Sequence, residues 1–62
     1  MGLKELRKAR GVTVSQLEKE VGVSERTVRR WEKEGLGNAS FKYVVNMIEA
    51  LEVSFIDLLD CF

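Results

Sequence analysis

Residues 14–33 read VSQLEKEVGVSERTVRRWEK, and this stretch decides the fold. Val14, Leu17 and Val21 recur at the spacing of one helical face. Thr13 precedes them as a cap, and Gln16 three residues on completes a capping box. Gly22 ends this first helix, because it can take the positive φ that a tight turn demands. Ser24 then caps a second helix from Glu25 to about Lys33. Val28 and Trp31 form its inward face. Glu25, Arg26, Arg29, Arg30 and Lys33 form its outward face. The pattern predicts two short helices, a turn of about four residues between them, and a densely basic second helix.

Working outward, a preceding helix is expected from about Leu3 to Arg10, with Gly11 at its C-terminal cap. After the basic helix, Gly35, Leu36, Gly37 and Asn38 read as a loop. Ser40 is read as the cap of a fourth helix, Phe41 to about Leu51, with Phe41, Val44, Val45, Ile48 and Leu51 largely inward. Ser54 opens a short fifth helix, where Asp57 favours the positive N-terminal dipole. The expected core is Leu6, Leu17, Val28, Trp31, Phe41, Val44, Leu51 and Leu58. A Trp on a basic helix invites a base-stacking role, but its spacing from Val28 assigns it to the core. Strand alternation is weak throughout, so residues 1–62 are read as one all-α domain.

Composition bounds what such a domain does. A 62-residue chain buries roughly 60% of its unfolded surface, so its stability margin is thin. Its single cysteine, Cys61, rules out a bridge within the chain and is read as a spare surface or interface thiol in a reducing compartment. No apolar run reaches the ~20 residues of a membrane span. The chain is therefore expected to be soluble, complete from Met1 and cytoplasmic. It has no His, no cysteine pair and no Gly-rich phosphate loop, which argues against catalysis and predicts neither cofactor nor metal. Net charge is zero, but its distribution is uneven. Residues 1–33 carry nine Lys/Arg and five Asp/Glu, net +4, whereas residues 34–62 carry one Lys and five Asp/Glu, net −4. Such a split points to an anionic partner on one side.

Two helices about one turn, the second basic, make the helix-turn-helix layout, in which one helix braces another lying in the major groove of DNA. The stretch from Leu3 to Leu59 resembles the Cro/Xre-type helix-turn-helix domains of phage and bacterial repressors. The resemblance rests on Leu6-Arg7, Gly11, Thr13, Leu17, Gly22-Val23-Ser24, Val28, Glu32, Asn38, Ser40, Leu51-Glu52-Val53-Ser54 and Leu58-Leu59, in order and at this spacing. It implies a compact five-helix, lambda repressor-like bundle, with the helix-turn-helix at about 14–33. It implies an ion pair between Arg7 and Glu32, structural in role. Base contacts would fall on Glu25, Arg26 and Thr27, with Arg29 and Arg30 one turn later. Each Arg suits guanine or phosphate. Glu25 suits either a cytosine amino group or an intrahelical pair with Arg29. Backbone phosphates would meet Thr13, Ser15 and Gln16 at the start of the first motif helix, and Ser24 and Lys33 on the second. Gly37, Asn38, Ser40 and Lys42 would meet a second phosphate stretch.

Four positions depart from the family pattern. Val14 stands where Gln is frequent, Glu18 where Ala is nearly universal, and Glu52 where Gly is usual, while Glu34 reads as an extra residue in the loop after the basic helix. The segment of about 53–62 is too apolar for one buried face. Phe55 and Leu58 are expected to face the core, leaving Ile56, Leu59 and Phe62 as a dimer surface. The expected function is a transcriptional repressor that binds a palindromic operator in double-stranded DNA as a homodimer, with no small-molecule ligand. Two alternatives stand beside it. One is a protein-interaction module on the same fold, such as an antirepressor or an antitoxin-like binder. The other is a MerR- or excisionase-type DNA binder, demoted because a helix rather than a β-wing follows Leu36.

Overall fold

Side-chain capping sets where most helices begin. A computed structural model describes residues 2–62. Helix α1 spans Leu3–Ala9, and Glu5 reaches back to the Gly2 N–H at 3.0 Å. Helix α2, Val14–Leu17, starts on a reciprocal box: Thr13 Oγ1 accepts from the Gln16 N–H, and Gln16 Oε1 accepts from the Thr13 N–H. Helix α3, Glu25–Glu34, starts on Ser24, whose hydroxyl accepts from the Thr27 N–H at 3.3 Å. Helix α5, Phe55–Leu58, repeats the box with Ser54 and Asp57, each side chain bonding the other's N–H at 3.2 Å. Each cap satisfies donors that the first helical turn leaves open. Helix α4, Phe41–Leu51, is the exception: Ser40 occupies the cap position, yet its side chain takes no cap bond.

The second helix does not stop at Leu17. It widens into a π turn over Glu18–Gly22, closed by the Val23 N–H donating to the Glu18 carbonyl at 3.2 Å. Gly22 then takes φ 87°. From α4, the Asn46 side-chain amide donates to the Val21 carbonyl at 3.4 Å, giving a partner to a carbonyl where the ordinary helical ladder is broken.

The core gathers residues from every helix: Leu3 and Leu6, Leu17 and Val21, Val28 and Trp31, then Val44, Met47, Leu51 and Leu58. Trp31 is buried and its ring lies 6.0 Å from Tyr43. No strand occurs among the described residues, and the fold is all-α with five helices.

The structure corrects several expectations. Phe41 is 77% exposed, because α4 buries the row Val44, Met47 and Leu51 and its first residue starts beyond that row's cover. Val45 is exposed because it lies one position off the buried row, about 100° around the helix from Val44, and Ile48 only packs against the core's edge. Leu36, expected in a loop, is fully buried, and its N–H donates to the Cys61 carbonyl at 2.8 Å. Cys61 is buried too, since a 3-10 turn over Leu59–Cys61 folds the chain end back beneath that loop. Burial pushes the Cys61 thiol up from its ordinary pKa, which disfavours the reactive thiolate. Phe55 does not face the core; it is half exposed and meets Phe62 edge-on at 6.2 Å.

Helix α4 ends on Glu52 at φ 55°, ψ 47°, the left-handed conformation that glycine adopts freely. The Val53 N–H closes the end by donating to the Ile48 carbonyl at 3.2 Å. Arg10 Nε donates to the Leu51 carbonyl at 3.0 Å, tying α1 to this end. Relief of the Cβ penalty in Glu52→Gly is worth about 1–2 kcal/mol. The extra freedom of glycine in the unfolded chain offsets about 0.4–1 kcal/mol of it. The expected net is a small stabilisation, read as a melting temperature a few degrees higher. An unchanged or lower melting temperature would refute the strain.

Candidate nucleic-acid interface

The start of α3 is held by local hydrogen bonds and by core packing. Ser24 caps it, the Ser24 and Thr27 hydroxyls lie 3.2 Å apart, and Val28 and Trp31 bury the opposite face. Thr27 is consequently half-buried with its hydroxyl engaged locally. Glu25, Arg26, Arg29, Arg30 and Lys33 are all exposed. A helical period of 3.6 residues places them around the side away from the core.

The three arginines differ. Arg29 is drawn to Glu25 and Glu32, with N···O distances of 3.5 Å to each. These are long contacts, and the one to Glu25, with both side chains at least half exposed, is readily screened. Glu25 is therefore positioned to align Arg29, one of the two roles its sequence position allowed. Arg26 and Arg30 have no ion-pair or hydrogen-bond partner among the described residues. With Thr27 and Lys33 they line a shallow groove of about 450 Å³ along α3. These guanidiniums are the donors left open to a ligand.

Arg7 and Glu32 meet beneath this surface. Arg7 Nε donates to Glu32 Oε2 at 2.8 Å, and both side chains are less than one-tenth exposed. Arg7 also donates to the Val12 carbonyl at 3.0 Å. The pair locks α1 and the α1–α2 loop to α3, so it positions the basic helix rather than facing a ligand.

The residues proposed from sequence for phosphates are exposed: Thr13, Ser15 and Gln16 at the start of α2, Ser24 before α3, Lys33 on α3, Gly37, Asn38 and Ser40 between α3 and α4, and Lys42 in the first turn of α4. Lys42 Nζ lies 5.7 Å from the Tyr43 ring centre, within cation–π range. Of the α2 set, Thr13 and Ser15 share a groove with Arg29, and Gln16 does not line it. The set from Gly37 to Lys42 lines neither that groove nor the one along α3. Sequence reasoning passed over Lys4 and Lys8, which also line the α2 groove. Their i, i+4 spacing was a signal for a shared face, but only the packing of α1 shows which element that face meets.

The C-terminal apolar residues divide between two places. Ile56 and Leu59 line a groove with Leu6 and Arg10 of α1. Phe62 instead pairs with Phe55, and its carbonyl lies against Gly35 at the end of α3. Among the described residues no helix is long and apolar enough to cross a membrane.

A helix-turn-helix family model matches the chain over residues 3–58, from the first helix through α5. No curated protein and no solved structure matches it. With the basic helix, its caps and its buried brace in the order that the family shares, the chain belongs to the Cro/C1-type helix-turn-helix family of DNA-binding transcription regulators.

Proposed function

We propose that this chain is a Cro-like repressor that binds a two-fold operator as a homodimer and acts by blocking access to DNA. One observation carries the reading: Arg26 and Arg30 are unpaired, exposed and fixed on a helix anchored by Val28 and Trp31. A helix of this kind fits the major groove, and arginine gives two parallel hydrogen bonds to a guanine edge. Glu25 and Arg29 serve beside them, with Thr27 at the edge of the contact. Thr13, Ser15, Gln16, Ser24 and Lys33 would hold one phosphate stretch, and Gly37, Asn38, Ser40 and Lys42 another. Of the acids in the negative half, Glu34 borders the α3 groove, whereas Glu49, Glu52, Asp57 and Asp60 line neither basic groove.

The dimer would use the apolar C-terminal segment. Phe62, beside the α3–α4 loop, supports a contact that sets two α3 helices about one DNA turn apart, roughly 34 Å. Ile56 and Leu59 add apolar area on the α1 side of the same segment.

Selection of bound duplexes from a random pool tests the whole reading, and a recovered two-fold sequence is the expected result. On that duplex, Arg26→Ala and Arg30→Ala should each weaken binding by about 1–3 kcal/mol and relax preference at one base pair. The thermal melt should not change. Recovery of no preferred sequence, with these variants silent, would instead favour a protein-binding module. Sedimentation with and without DNA reads the dimer, which a chain that stays monomeric in both would refute.

A further inference from the structure

Lys4 and Lys8 stand one turn apart on α1, both exposed and without an ion-pair or hydrogen-bond partner among the described residues. An open groove of about 650 Å³ separates them from α2 and α3. It is lined by these two lysines, by Thr13 and Ser15, and by Arg29. The first turn of α2 offers an anion neutral donors but no charge. Val14 is apolar, and Thr13 and Gln16 cap each other's N–H through their oxygens at 3.1 and 2.7 Å, which leaves the Thr13 O–H, the Gln16 amide NH2 and the Ser15 O–H as uncharged donors. The other two cations at the groove are already compensated, Arg7 by Glu32 and Arg29 by Glu25 and Glu32. The lysine charges are the ones left over. Glu18 is the groove's remaining carboxylate without a partner of its own.

We propose that Lys4 and Lys8 hold a phosphodiester of the DNA backbone in this groove, extending the interface from α3 onto α1. A lysine fits the task as a compact charge on a flexible four-carbon stem, able to reach a phosphate without fixed geometry. Such a contact carries no sequence information and acts on every duplex alike. Glu18 opposes it and limits the strength of this grip. The inference rests on the DNA-binding reading above.

The test is equilibrium binding of the full chain to the selected duplex and to a scrambled one, across a range of salt. Lys4→Gln/Lys8→Gln should flatten the slope of log affinity against log salt by about 1 per bound chain, the share of one phosphate. The loss of affinity should be equal on both duplexes, with the thermal melt unchanged. Glu18→Gln should act oppositely and tighten both complexes. If the wild type binds with a steep salt slope and the double variant keeps that slope, the α1 site is wrong while the α3 reading stands. If the wild type binds neither duplex, the DNA reading fails, and this site with it.

Discussion

Gly35→Ala should remove about 2–6 kcal/mol of stability, the sum of a backbone penalty near 1–3 kcal/mol and an overpacking penalty near 1–3 kcal/mol. Gly35 sits at φ 89°, ψ 177°, a region that side-chain-bearing residues essentially never enter. A Cβ there would lie 2.9 Å from the Phe62 carbonyl oxygen and 3.1 Å from that of Cys61. Both neighbours are main chain, so neither can rotate away. The Cys61 carbonyl is further fixed by the Leu36 N–H at 2.8 Å, and Leu36 itself is buried. Typical stability for a chain of this length is roughly 3–9 kcal/mol, so the variant would stand near its unfolding threshold. Gly37 supplies the control, because no atom lies within 4 Å of its Cβ position. In urea, Gly37→Ala should keep its midpoint while Gly35→Ala loses half or more of it. Equal midpoints would show that the chain end is not seated on this loop.

That junction also marks where reading the sequence stopped working. Capping chemistry is local, so Thr13–Gln16, Ser24 and Ser54–Asp57 announced three helix starts that the structure shows. Apolar spacing likewise placed Val28 and Trp31 inside and the guanidinium row outside. Leu36 and Cys61 were illegible because each is buried by the other's segment, twenty-five residues away, and no local period records such a contact. Phe41 misled for the converse reason. It fits the helical period of α4, yet the cover that buries Val44 stops short of Phe41, and period alone does not say how far the cover extends. The π turn at Glu18–Gly22 is similar: a wider ladder leaves no mark in residue type, although Glu18 already stood out. The candidate interface was legible on α3, where charge and spacing coincide. It was not legible on α1, where the face of Lys4 and Lys8 takes its meaning from a neighbouring helix.

Arg7→Met should cost about 3–5 kcal/mol, the range for breaking a buried ion pair by removing one partner. The loss arises mainly from what stays behind. Glu32 keeps a carboxylate that is 6% exposed, and its other neighbour, Arg29, is 3.5 Å away on a half-exposed side chain. The Val12 carbonyl loses its donor as well. Because a lone buried charge is so unfavourable, removing the second partner should help. Arg7→Met/Glu32→Leu is expected to recover most of the loss, since apolar replacement of a whole buried pair is often neutral or stabilising. Thermal melts of the single and double variants give the coupling directly. DNA affinity then separates stability from positioning. The pair joins α1 to the basic helix across twenty-five residues of sequence, and Glu32 also contacts Arg29. A double variant as stable as the wild type should therefore still bind DNA less tightly, through a less well oriented Arg29. A double variant melting no higher than Arg7→Met would mean that packing around Arg7, rather than Glu32's stranded charge, sets the cost.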